Sequence, residues 1–459
     1  MAINTDIAMA EAMDKSIHKT EITALVGCVL LSAALCLLQI LGSSLLLAAG
    51  LGVFLLFILW ACFQNRAFHL LLFFLPWSPL LRMYSGGISF FTIAQLLCCL
   101  VYFLRNHMRI RLFQVCLTAA MAVLTLAAKG MNEITPDKSY IFFLAMLFLF
   151  PCVAARICED TGFFEITLFF SVGIISAALF AQLFSGYPNI SQYIDVIAYQ
   201  RITRLSGFYE DPNFYSAQIV ACLGGTLLLW IQERRELRRI LMAILSLVLL
   251  YCGFLSASKS FILVLAMQVL FYVPFVLNRN NRGNKRIRIF LGAAAALVIV
   301  ISSSAFQELF RVMDDRFAYA ANLSQLTTGR TDLWKNYLRA FLRDPVLTFL
   351  GIGYSQINLN NRAGHNTLIQ LIYQFGLLGT PFFLSWLIIN MKNTVKNLER
   401  SGFDRKAFAV LSIGVFVPWL GLDILFFDEV FLLPVYMIIG AYHLNRGSAV
   451  QPAVRRLSA

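Results

Sequence analysis

Charge is what this chain has least of. Only 13% of its 459 residues are Asp, Glu, Lys or Arg, against about 25% in soluble domains. That excludes an ordinary soluble enzyme and a disordered chain, both of which need a charged surface. Acidic residues are the scarcer sign, with 24 Asp and Glu against 37 Lys and Arg, so the net charge is +13. A cleavable leader is also not expected. The first twenty residues are polar and no small-residue cleavage site follows an apolar core, so the first apolar run is read as a signal anchor. The ten cysteines fall in apolar runs or, for Cys158, in a gap expected to face the cytoplasm. None lies in an expected outside loop, which excludes a disulfide framework. The chain also lacks a long internal repeat, a low-complexity stretch and an appended soluble domain.

What is present is apolar length. Hydrophobic residues make up 59% of the chain and the mean hydropathy is +0.74. Forty-one Phe and 27 Gly suit a membrane bundle, where rings and small residues are both useful. A spanning helix needs about 17–25 mostly apolar residues. Apolar runs are read at 21–41, 44–63, 67–81, 88–104, 112–128, 139–155, 163–185, 214–231, 240–257, 261–277, 289–305, 367–390, 407–423 and 427–443. The run at 67–81 is short and holds Pro76 and Pro79, so it reads as broken or re-entrant. The expected fold class is all-α, a polytopic transmembrane bundle of about 12–14 spans.

The basic residues set the orientation. Odd-numbered gaps hold about 24 of the 37 Lys and Arg, in short connections where the positive-inside rule applies best. Among them are Arg105, Arg109 and Arg111, then Arg234, Arg235, Arg238 and Arg239, then Lys392, Lys396, Arg400, Arg405 and Lys406. Both termini are therefore expected in the cytoplasm. The expected organisation is a cytoplasmic segment at 1–20, membrane helices at 21–185 and an outside loop at 186–213. Central membrane helices follow at 214–305, then a large outside loop at 306–366. Membrane helices at 367–443 and a cytoplasmic tail at 444–459 complete it.

The two outside loops break the charge pattern, because they carry most of the remaining Lys and Arg. Something other than sidedness favours cations there. A connection as long as 306–366 is usually functional. Within it, TTGRTDLWKNYLRAFLRDP predicts an amphipathic helix over 331–343. Thr331 is expected to cap it, Leu333, Trp334, Leu338, Phe341 and Leu342 form an apolar stripe, and Pro345 stops it. This helix is expected either on the membrane surface or over a cavity. A Gly/Asn-rich stretch, GIGYSQINLNNRAGHN, then leads to His365 at the start of the next membrane helix. The positive end of that helix disfavours imidazolium, so His365 is expected to be neutral and able to accept a proton. The bland alternative is an interfacial capping residue.

These motifs resemble the signature of the O-antigen ligase and O-antigen polymerase superfamily. GRTDLW, GIGYSQ and GHNTLIQLIYQFGLLG carry the resemblance, with RLSGFYEDPN upstream; it covers about 200–390, and the first 180 residues match only as a membrane-helix pattern. The resemblance implies an integral-membrane glycosyltransferase of the GT-C type. Such enzymes move a glycan from a polyprenyl diphosphate carrier to an acceptor hydroxyl, on the outer side of the bacterial inner membrane. It further implies inverting transfer with no metal and no cofactor. His365 would correspond to the general base, and Arg330 and Arg204 to arginines that bind the donor diphosphate. Asn213 and Asn366 would be supporting residues. Relatives often carry Arg where SASKSFILVL places Lys259, which binds phosphate without bidentate geometry or simply snorkels to the interface. Ligase and polymerase share the signature, so the acceptor glycan or glycolipid stays open.

Other residues carry weaker readings. Arg201, Arg311, Arg316, Arg339, Arg343 and Arg362 either line an anionic groove or are solvated loop charges. Asp211 is a substrate-binding candidate and, more simply, the initiator of the helix after Pro212. Tyr354 and Trp334 have rings able to stack on sugars, although Trp334 reads better as an anchor for its helix. Asp314 and Asp315 lack a third ligand for a metal. The competing function is a non-enzymatic glycolipid flippase or transporter. It fits less well, because coupled transport usually places charge at mid-membrane depth, where little is found.

Overall fold

With no water in the bilayer core, backbone polar groups must be satisfied within the chain, so apolar runs of this length become helices. In this computed structural model the described residues are 2–82, 89–134, 139–194, 204–278, 307, 311, 329–396 and 405–456; the side chains of 2–20, 155, 392–396 and 445–456 are not described. The expected span at 289–305 lies outside them, as do Arg201, Asp314, Asp315 and Arg316. Among the described residues the protein is an all-α bundle.

The first half holds α1 (Ala2–Leu41), α2 (Ser44–Phe63), α3 (Ala67–Phe74), α4 (Phe90–Arg105), α5 (Leu112–Met131), α6 (Ser139–Asp160) and α7 (Phe163–Leu183). A single turn, α8 (Pro188–Ser191), precedes α9 (Pro212–Gln232), α10 (Glu236–Leu255) and α11 (Lys259–Asn278). Then come α12 (Arg330–Arg343), α13 (Pro345–Leu350), α14 (Thr367–Lys396), α15 (Arg405–Phe416) and α16 (Glu429–Arg456). Eight described helices are long and apolar enough to cross a membrane: α2, α5, α7, α9, α10 and parts of α1, α11 and α14. Four shorter apolar helices lie at Ala67–Trp77, Phe90–Arg105, Ser139–Ala154 and Glu429–Leu444.

Burial is graded across the bundle. Helix α9 is almost wholly enclosed, whereas α1, α2, α5, α10 and α11 leave most of their apolar surface uncovered. An apolar exterior is what lipid requires, so these helices form the rim and α9 the axis. The run at 67–81 is broken. Helix α3 is eight residues long and every one is buried, and Leu75–Trp77 continue as a 3-10 turn around Pro76.

Two membrane segments depart from simple spans. The expected run at 407–423 stops as α-helix at Phe416, and twelve residues reach only about 18 Å. Pro418 turns the chain through a 3-10 helix to Leu420, and residues 421–428 have no regular helix before α16 begins. The second departure is inside α14, where Gly376 has φ 63° and ψ −176°. The helical ladder opens there. Ile352 N–H donates to Tyr373 O (2.9 Å) and Gly353 N–H to Gln374 O (2.9 Å), so the 351–355 loop is inserted into the break. Ser355 N–H adds a bond to Gln374 Oε1 at 2.6 Å. Non-helical backbone is tolerated at such depth only when protein covers it, and this loop is the cover.

Candidate functional site

Helix α12 begins at Arg330 behind Gly329, which has φ 79° and acts as the N-cap in place of the expected Thr331. Its buried stripe also differs from expectation. Tyr337 is the fully buried pivot, with Leu333, Ala340 and Phe341 packed around it, while Leu338 and Leu342 are exposed. Tyr337 Oη donates to Arg362 O at 2.9 Å and accepts from Leu359 N–H at 3.2 Å. Trp334 Nε1 donates to Gly364 O at 2.9 Å, which ties α12 to the residue just before His365. Gln370 Nε2 donates to Asn358 Oδ1 at 3.1 Å. The Gly/Asn-rich loop is therefore held from both α12 and α14.

His365 is not the helix cap. That role belongs to Asn366, whose Oδ1 accepts from Leu368 N–H (3.0 Å) and Ile369 N–H (3.2 Å). His365 sits one residue earlier with φ 45°, a left-handed backbone, and its side chain is half-buried. Burial lowers its pKa below the ordinary 6.5, the Arg330 guanidinium lowers it further, and Asp211 opposes both. The imidazole is thus held in its neutral, proton-accepting form. The cause is burial and a neighbouring cation, where the sequence suggested the helix end.

Asn366 Nδ2 reaches Leu420 O at 3.2 Å, and Thr367 Oγ1 donates to Leu422 O at 2.7 Å. Ile424 N–H returns a bond to Thr367 Oγ1 at 3.1 Å. The 417–428 segment therefore forms a wall against the start of α14. Gly421 in that wall lies against Arg330, since a Cβ there would stand 2.9 Å from the guanidinium Nη1. The same wall buries Asp423, whose carboxyl is pushed up to about 7 by burial.

The upstream motif builds the other side. Asp211 caps α9, its Oδ1 accepting from Asn213 N–H (2.9 Å) and Nδ2 (2.6 Å). Asn213 Oδ1 accepts from Ser258 Oγ at 2.7 Å, and Ser258 Oγ lies 3.0 Å from Ser260 Oγ. Arg204 Nε donates to Ser256 O at 2.9 Å, so Arg204 and Asn213 grip the same turn ahead of α11. Lys259, half-buried, is the first residue of α11 within that turn. Tyr209 fixes the motif from below through bonds to Glu429 Oε1 (2.6 Å), Leu75 O (3.1 Å) and Ser78 Oγ (2.9 Å).

The sequence candidates thus separate. His365, Arg330 and Asp211 share one field, and Asp211, Asn213, Arg204 and Lys259 share one turn network. Tyr354 is buried, stacked on Tyr140 (5.0 Å between centroids) and packed on Phe143 (4.9 Å), so its ring is committed to the core instead of to an open surface. The side chains of Arg311, Arg339, Arg343 and Arg362 are exposed. Among the described residues no group of three His, Cys, Asp or Glu could hold a metal. Sequence reasoning missed the 417–428 wall, because GLDILFFDE reads as the seam between two spans. Its usable signals were Pro418, Gly421 and three carboxylates in an apolar run.

The fold is that of a multi-pass helical membrane protein, in which the starts of α12 and α14, carrying Arg330 and His365, meet the 417–428 segment. Residues 244–384 match the family model described as O-antigen ligase. That span contains Lys259, Arg330, His365 and Asn366, and it supports the O-antigen ligase superfamily on which the motifs had pointed. The family brings with it O-antigen ligase-like glycosyl transfer in general, a lipid-linked glycan and a bilayer. Among curated proteins, none matches the chain.

Proposed function

We propose that the protein transfers a polyprenyl-diphosphate-linked glycan to an acceptor hydroxyl, with inversion, at the outer face of the bacterial inner membrane. The supporting observation is that the 417–428 segment meets both Asn366, next to His365, and the Arg330 guanidinium, with burial and the Arg330 cation lowering the imidazole pKa and Asp211 opposing them. His365 removes the acceptor proton as the hydroxyl attacks the anomeric carbon. The bond to the carrier diphosphate breaks on the opposite face. Diphosphate leaves well if its growing charge is met, and Arg330 and Arg204 supply fixed guanidinium groups for it. Lys259 and the Asn213–Ser258 network hold the turn that carries this side of the pocket. Asn366 keeps the start of α14 against the 420–424 wall, which fixes the imidazole.

Purified protein, a labelled carrier-linked glycan and an acceptor glycolipid test the reading. His365→Ala is expected to lower turnover by about 10²–10⁴-fold, and Arg330→Ala to be similarly damaging. Full transfer by either folded variant overturns the mechanism. Translocation of the glycolipid across liposomes without transfer, unchanged by loss of His365, would replace it with the flippase reading.

A further inference from the structure

Helix α12 has an apolar flank that is exposed among the described residues. Leu342 is 88% exposed and Leu338 54% exposed, one turn apart on the same side. They lie beside the buried face centred on Tyr337, and the cations Lys335 and Arg339 border them one turn earlier. Helix α13 continues the exposed strip with Phe349, 52% exposed.

The level of this strip in the bundle is fixed twice. Asn132, just after the end of α5, donates from Nδ2 to Gly351 O at 3.3 Å. On the other side, Gly376 of α14 lies so close to Phe349 O that a Cβ would overlap it. Met131, Leu377 and Leu378, the neighbours of those two anchors, are themselves exposed. Exposed apolar side chains therefore occur both on the α12–α13 unit and on the two membrane-spanning helices to which it is anchored.

We propose that α12 is an interfacial helix resting on the bilayer leaflet at its own end of the bundle. Leu338, Leu342 and Phe349 enter the acyl boundary, while Lys335 and Arg339 meet lipid phosphates. The occupant is lipid because the α12–α13 unit is anchored beside exposed apolar residues of two lipid-facing helices and its apolar flank is bordered by Lys335 and Arg339. A helix with one apolar flank and a basic border has the composition of a surface-lying helix. Because α12 starts at Arg330, the leaflet then braces the element that carries the pocket's cation. The proposal stands whatever reaction the pocket performs.

Full-length protein in nanodiscs of phosphatidylcholine and phosphatidylglycerol tests it. Cys116 is the exposed native cysteine, so Cys116→Ser gives a background for labelling Leu342→Cys or, on the far side of α12, Asn336→Cys with bimane. Lipid carrying a nitroxide high on its acyl chain should remove most emission at 342 and little at 336. Aqueous iodide should do the reverse. Equal iodide quenching at both positions overturns the proposal. So does protection of 342 from both quenchers, which would mean that protein covers the flank. Both replaced side chains are largely exposed, so folding is retained, and a monodisperse elution profile verifies it.

Discussion

At the scale of single residues, the pocket is tuned by what surrounds one imidazole. His365 is lowered by burial and by Arg330 and partly restored by Asp211. A general base works only when deprotonated, so activity should fall on the acid side as pH drops through its pKa, which lies below 6.5. The sign for Asp211 follows. Removing its charge in Asp211→Asn takes away the influence that favours imidazolium, so the acid limb should move to still lower pH. A limb unchanged or shifted upward in the pH profile of kcat/KM would contradict the placement of Asp211. Asparagine retains an oxygen for the α9 cap, so the loss of turnover should be modest. His365 and Arg330 stand out as candidates in the sequence because they sit in short linear motifs. The source of the neutral state does not, since burial and the cation Arg330, distant in sequence, leave no local mark beside His365.

At the scale of elements, the broken helix α14 and the loop inserted into it form one unit. Gly376 combines φ 63° with ψ −176°, a region essentially reserved for glycine. Gly351 faces it with φ 72°, and a Cβ there would stand 2.6 Å from Gly376 N. Gly376→Ala should therefore cost about 2 kcal/mol or more from backbone strain alone, before the overlap with Phe349 O is counted. Thermal unfolding in detergent would register this as a lowered midpoint; an unchanged midpoint would show that the break is not required. Hydropathy placed α14 correctly but was blind to its opening, because Phe375, Gly376 and Leu377 are as apolar as any spanning stretch. For the same reason α15 was read too long. The side chains of Leu422, Ile424 and Leu425 are buried in a loop and look like bilayer residues. The predicted helix at 331–343 was nearly right in extent. Its stripe was misplaced because Tyr337, a ring with a polar tip, does the burying that the pattern assigned to Leu338 and Leu342.

At the scale of the whole molecule, the arrangement demands that Asn361, the pocket and the α12 surface share one side of the membrane, with the α10 start opposite. Asn361 is exposed in the loop before His365. In intact cells, Asn361→Cys should react with a membrane-impermeant maleimide, and a cysteine replacing exposed Arg234 ahead of α10 should react only after lysis. The opposite pattern would invert the proposed orientation. The expectation of this sidedness comes from the arginine distribution, which depends on counts and not on packing. The assembly of the pocket was beyond such counts, because it joins the α9 cap, the turn before α11, the start of α12 and the wall after α15.

That last contribution bears on how the protein is made. Leu420 and Asn366 are 54 positions apart, yet their contact helps to close the pocket. A nascent chain that has already released His365 and Arg330 through the translocon still lacks the surface against which both are set. The proposed centre is completed only after two further apolar segments have been inserted, so a prematurely terminated product would carry His365 and Arg330 without the segment that meets them.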